Sequence, residues 1–282
     1  MKSLPLPKFT VREVLDVCVS GVRDRGHALR LASVMPAVEA AEGEYLRLGL
    51  QARLFEVEQT PDVAGVISSL EMSKLYKGNL ARKGSRSRRF YDRLKMAAPG
   101  DICPLCNQRV VKTLDHYLPK ADYPSLAVTP LNLVPACSDC NKDKLDRNAA
   151  SAAEQTLHPY FDAVDDAVWL VAEIQESSPP AAVFAVRAPA SWDATKRRRV
   201  ETHFLAFGLG VLYAAQSGAE LVSIRYALAE VAECGGADAV RAFLNQQARS
   251  RAMVSRNSWS AALYSALSAS QWFCSEGFLE LG

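Results

Sequence analysis

Two Cys-x-x-Cys pairs, Cys103/Cys106 and Cys137/Cys140, stand near the middle of the chain. Two such turns let four thiolates close a tetrahedron around one zinc ion, at Zn–S distances of about 2.3 Å. Four protein ligands leave no open coordination position, so the zinc they predict is structural, a staple for a short module with few apolar residues. Between the pairs lies Leu114-Asp115-His116-Tyr117-Leu118-Pro119-Lys120, and directly after the second pair comes Asn141-Lys142-Asp143-Lys144. If residues 110–114 form a strand, Asp115 and His116 leave its end on opposite faces. Asp115 then offers hard oxygens to a divalent cation while the His116 imidazole faces a water. Asn141, at the start of a presumed helix, is placed to be a second ligand through its amide oxygen.

Taken in order, Cys-x-x-Cys, Asp-His-x-x-Pro, Asn-Leu and Cys-x-x-Cys-Asn-x-x-Lys span about residues 101–148. The series resembles the HNH (ββα-metal) endonuclease family, in its zinc-binding branch. The resemblance implies that His116 is the general base, Asp115 a ligand of a catalytic metal, and Asn132 the brace of the loop between two strands that orients His116. Asn141 stands where the family has a His or Asn ligand, and Lys144 where it carries a basic residue on the last helix. An amide oxygen at that place favours Mg²⁺ or Mn²⁺ over the borderline metals an imidazole prefers. The expected reaction is hydrolysis of phosphodiester bonds in DNA, with His116 taking the proton of the attacking water and one divalent metal neutralising the developing charge. Helical arms around such a centre, with no recognisable target-reading domain, are similar to bacterial accessory nucleases that act as effectors of anti-phage defence. That likeness implies a partner protein. Two other readings share parts of the pattern: a non-catalytic zinc-dependent nucleic-acid-binding module, and an RNA-directed toxin with the same active-site chemistry. Binding alone has no use for Asp115, His116 and Asn141 together.

Apolar periodicity predicts helices for most of the first hundred residues. Val11, Val14, Leu15 and Cys18 share one face, with Thr10 and Glu13 spaced as a capping box. Residues 27–49, 62–77 and 85–97 also read as helical. After the cysteine module, residues 168–174 and 182–186 alternate around Ser177-Ser178-Pro179-Pro180, which predicts a hairpin. Helices are expected again over 192–215, 217–234, 237–255 and 258–270. The expected fold class is therefore α+β and mostly helical: a zinc-stapled ββα-metal HNH module at 101–150, a helical region at 1–100 ending in a basic stretch, and a β-hairpin plus helices at 151–282.

The 282 residues carry an overall charge of only +2, unevenly placed. From Lys74 to Lys95 nine basic residues face one acid, a local net of +8 that leaves about −6 for the remainder. Positive charge gathered beside one candidate site invites a polyanion. Arg82, Lys83, Arg86, Arg88 and Arg89 are expected to contact DNA (RNA in the toxin reading), joined by Lys142 and Lys144. No uninterrupted apolar run approaches the roughly 18 residues of a membrane span, and Met1–Lys8 has no apolar run of secretory type, so a cytoplasmic protein is expected. Cys18, Cys234 and Cys274 stand alone and are expected to be small buried hydrophobes.

Overall fold

The computed structural model describes residues 1–144 and 149–281. The chain divides into two compact units, Met1–Ala163 and Val164–Gly282. The boundaries expected at 100 and 150 both fall inside the first, because the leading helices and the cysteine module share one core.

In the first unit, α1 (Val11–Ser20) starts at the expected capping box: the Thr10 side chain accepts from Glu13 N, and Thr10 N donates to the Glu13 carboxylate at 2.8 Å. Its buried face is Val11, Val14, Leu15 and Cys18. Helices α2 (Arg25–Ser33) and α3 (Met35–Leu50) follow. Residues 62–77, expected as one helix, begin instead with a small hairpin of β1 (Asp62–Val63) and β2 (Ile67–Ser68). The cause is local: Ala64 and Gly65 both take positive φ, 54° and 69°, the geometry of a tight hairpin turn. Ser68 and Glu71 then form a second capping box for α4 (Ser69–Leu75), which runs into a π-helical turn, Tyr76–Leu80. The basic helix α5 (Arg88–Lys95) buries Phe90, Tyr91 and Leu94.

Against these helices lies the module. Strand β3 (Thr113–His116) pairs antiparallel with β4 (Leu133–Ala136), with Asp115 opposite Val134 and His116 opposite Leu133. Helix α6 (Ser138–Asp143) completes a ββα unit; its expected continuation to about residue 148 lies outside the described residues. Leu114, Ala127, Val128 and Leu133 of the module enter the same apolar cluster as Leu15, Val38, Met72, Leu75 and Leu94. Strand β3 thus rests on a scaffold many times its own size, which a two-stranded ribbon cannot supply for itself.

In the second unit, β5 (Leu170–Gln175) and β6 (Ala181–Val186) form the expected hairpin, Leu170 opposite Val186. Helix α7 (Ala194–Ala206) ends at Gly208, whose φ of 56° breaks the run near 207 rather than at 216. Helix α8 (Leu209–Val254) is interrupted where expected, at Gly235-Gly236, with φ of −166° and 62°. Ser258 caps α9 (Trp259–Ala269), followed by α10 (Gln271–Ser275). Asn257, buried before that cap, accepts from Trp169 N at 2.9 Å and donates to Ala167 O at 2.9 Å, fastening β5 to the start of α9. Among the described residues no single helix is long and apolar enough to cross a membrane. Of the lone cysteines, Cys18 and Cys274 are buried as expected, but Cys234, beside the glycine break in α8, is exposed.

Candidate active site and metal centre

All four cysteines of the two pairs are buried, and their sulfur atoms lie within 4.8 Å of one another. Two local folds bring them there. In the first, an isolated bridge pairs Ile102 with Val110, Cys103 N donates to Arg109 O at 2.7 Å, and Arg109 N donates to Cys106 Sγ at 3.4 Å. In the second, Cys137 is the N-cap residue of α6 and its sulfur accepts from Cys140 N at 3.3 Å. Mutual hydrogen bonding pulls the Cys106 thiol down to about 7 and the Cys137 thiol lower still, while Cys103 and Cys140 are pushed up. Four sulfurs so close cannot all ionise without a cation among them, and the soft, tetrahedral set fits zinc. Arg109 adds fixed positive charge, ion-paired to Asp139 at 2.9 Å and raised further in basicity by three of the sulfurs.

The end of β3 opens into a cleft of about 620 Å³ lined by Asp115, His116 and Asn141 together with Tyr76, Lys77, Pro119, Lys120 and Lys142. His116 is 8% exposed, and its Nε2 lies 2.9 Å from the Ala127 carbonyl oxygen. A carbonyl only accepts, so Nε2 carries the hydrogen and Nδ1 keeps a lone pair. Burial, with the charge of Lys120 next, holds the ring down to about 3. Tyr76 meets it edge-on, ring centres 4.5 Å apart. Asn132 is wholly buried. Its Oδ1 accepts from Leu118 N at 2.7 Å, and its Nδ2 donates to Leu118 O at 2.9 Å and Leu126 O at 3.3 Å. It thereby clamps both ends of the segment that delivers the Ala127 carbonyl.

The Asp115 side chain is 12% exposed, and partial burial raises its carboxyl against the pull of Lys144. Lys144, expected as a nucleic-acid contact, is turned inward: its Nζ donates to Asp115 Oδ2 at 3.0 Å and to the His116 carbonyl at 2.6 Å, and lies 5.1 Å from the Tyr117 ring centre. An ammonium 7% exposed needs such partners. Asp115 and Asn141 present a carboxylate and an amide to the same cleft, hard oxygen donors that fit Mg²⁺ or Mn²⁺ rather than a thiophilic ion.

The basic stretch separates into three fates. Arg88 is used internally, ion-paired to Asp92 at 2.8 Å, bonded to the Ala81 carbonyl and 4.1 Å above the Tyr91 ring. Arg89 lies 4.9 Å over Phe90. Arg82, Lys83 and Arg86 line a second cavity. The cleft lysines Lys77 and Lys120 were not singled out by sequence reasoning; Lys120 directly follows the Asp-His-x-x-Pro run, the signal that marks it. His158, in the run His158-Pro159-Tyr160-Phe161-Asp162 just past the module, is a buried brace. Its Nδ1 accepts from Tyr160 N at 3.1 Å, so its Nε2 donates to Tyr45 Oη at 3.0 Å. A separate basic run, Lys196-Arg197-Arg198-Arg199, also serves structure, with Lys196 paired to Asp166 at 3.2 Å and Arg198 to Glu201 at 2.9 Å.

A family model described as HNH endonuclease matches residues 103–147. The chain is also similar to protein ea31 of Escherichia phage lambda, 32% identical over 234 residues that cover 79% of each protein. No solved structure gives a significant match. With the cysteine cluster and the ββα unit around that match, the chain carries an HNH endonuclease domain of the zinc-binding kind and belongs to one family with protein ea31.

Proposed function

We propose that the protein is a metal-dependent DNA endonuclease with His116 as general base. One observation carries the reading: Asp115, His116 and Asn141 line a single cleft, and the only nitrogen of His116 left basic belongs to a ring fixed at its other end. His116 Nδ1 accepts a proton from a water whose oxygen attacks phosphorus in line; the bond from phosphorus to the 3′-oxygen breaks, leaving 5′-phosphate and 3′-hydroxyl ends. Asp115 and Asn141 would hold a divalent cation, Mg²⁺ or Mn²⁺, which neutralises charge on the phosphate and the leaving oxygen when bound. Lys77, Lys120 and Lys142 draw the polyanion into the cleft. The zinc held by the four cysteines is structural, and its thiolates suit a reducing cytoplasm. The cellular role proposed for this activity is that of an effector of phage defence, gated by a partner protein.

The test is incubation of the purified protein with supercoiled plasmid, linear duplex and single-stranded RNA, each with and without Mg²⁺ or Mn²⁺. Metal-dependent cleavage of DNA that His116→Ala abolishes is the expected result. Cleavage of RNA alone assigns the substrate to RNA instead, and no cleavage of any substrate overturns the enzyme reading.

A further inference from the structure

We propose that Arg23, Arg82, Lys83 and Arg86 form a cradle for the phosphodiester backbone, holding nucleic acid beside the cleavage cleft. The inference rests on the reading of that cleft as a nuclease site, and it adds a second anchoring point with its own residues. Arg23 lies outside the basic stretch, in the turn after α1, and the fold brings it to the same cavity of about 400 Å³ as the other three. No Asp or Glu lines that cavity. The neighbouring acid, Asp24, is engaged as the N-cap of α2, accepting from His27 N at 2.7 Å. Among the described residues none of the four cations pairs with a carboxylate, whereas Arg12, Arg30 and Arg53 on the same unit all do. Uncompensated like charges repel unless an anion joins them, and guanidinium groups match phosphate oxygens in a bidentate fork.

The loop is shaped for this arrangement. Gly84 turns it at a φ of 80°, where no side chain would crowd the space, and the Ser85 hydroxyl ties the turn to Asn79 O and to Arg82 O at 2.9 Å. Successive residues of one segment line the cleft and the cradle. Tyr76 and Lys77 of the π-helical turn line the cleft, and Gly78 and Asn79 of the same turn line the cradle. A strand whose scissile phosphate sits by His116 passes Lys77 and reaches the arginines along one chain segment. No aromatic side chain lines the cradle, so it offers no stacking platform for a base and fits the backbone instead.

The experiment uses the full-length His116→Ala protein, zinc-loaded, with fluorescent duplex DNA titrated at several salt concentrations. Adding Arg23→Ala and Arg86→Ala is expected to weaken binding and to flatten the slope of log K against log salt by about 0.9 per lost phosphate contact, about 1.8 for the pair. A charge-matched control, Arg47→Ala with Arg53→Ala on other surfaces of the same unit, is expected to leave the slope unchanged. Inorganic phosphate at millimolar concentration should not displace the DNA; displacement would mark a free-phosphate site and overturn the backbone assignment. An unchanged slope in the Arg23/Arg86 variant, or equal flattening in the control, overturns the cradle. Absence of DNA binding by the parent overturns it too, and wild-type cleavage, measured separately, then shows whether the nuclease reading falls with it.

Discussion

His116 gives its Nε2 hydrogen to the Ala127 carbonyl and keeps its Nδ1 lone pair at neutral and mildly acidic pH alike, because burial holds its pKa near 3. The acid limb of the cleavage rate is therefore expected well below 6.5, where a free imidazole would protonate; an apparent pKa near 6.5 assigned to this ring in a pH–rate profile would contradict it. The same shift links to stability. Between 6.5 and about 3 the unfolded chain binds a proton on this ring and the folded chain does not, so its contribution is full above 6.5 and is lost as pH falls through that window. Removing the ring altogether, in His116→Ala, should cost ~10²–10⁴ in cleavage rate while zinc content and DNA affinity persist. Lys144 belongs to the same chemistry. Lys144→Met leaves the largely buried Asp115 carboxylate without its ammonium, and breaking a buried pair of this kind costs about 3 kcal/mol. A lowered urea midpoint with unchanged slope is the expected result; an unchanged midpoint would show that the pair adds nothing to the fold.

Strands β3 and β4 are four residues each, and two devices define their register: the cysteine cluster, with Cys137 directly after β4, and Asn132 directly before it. Metal analysis should accordingly find one zinc per chain, and Cys140→Ser should lower both melting temperature and activity. Zinc-free protein that stays folded and active would refute the staple. Asn132→Ala strands the amide and carbonyl of Leu118, at a cost of about 2–3 kcal/mol, visible as a lower urea midpoint. These elements were legible in sequence because each depends on residues close together or on unmistakable types: paired cysteines, Asp115-His116, the Thr10–Glu13 cap, the alternation of 170–175. What escaped depends on long-range placement. Nothing local says that Lys144 folds back onto Asp115, that Ala127 presents its carbonyl to His116, or that Arg23 meets Arg86. The hairpin at 62–68 was missed because its apolar spacing suits a helix and only the φ angles of Ala64 and Gly65 decide otherwise.

As a whole molecule the protein keeps its proposed chemistry in one unit. The zinc cluster, the cleft and the cradle all belong to Met1–Ala163, and every hydrogen bond described for them is made there. A fragment of residues 1–163 is expected to fold, bind one zinc and retain metal-dependent cleavage; a fragment that is folded and zinc-loaded yet inert would give the second unit a direct part in the reaction. Within the first unit, the earliest residues are joined to some of the last. Lys2 N donates to Pro104 O at 2.8 Å, Leu4 N to Pro159 O at 2.8 Å, and Ser3 Oγ to Asp162 O at 2.8 Å. On a translating ribosome these residues emerge before residues 104–162 and wait while the intervening chain is made, roughly 10–30 s at ordinary elongation rates. The nuclease half thus finishes assembling only after His158 and its aromatic ring of neighbours have left the exit tunnel. Nascent chains stalled before that point are expected to carry no nicking activity, which a plasmid-nicking assay of stalled ribosome complexes would check.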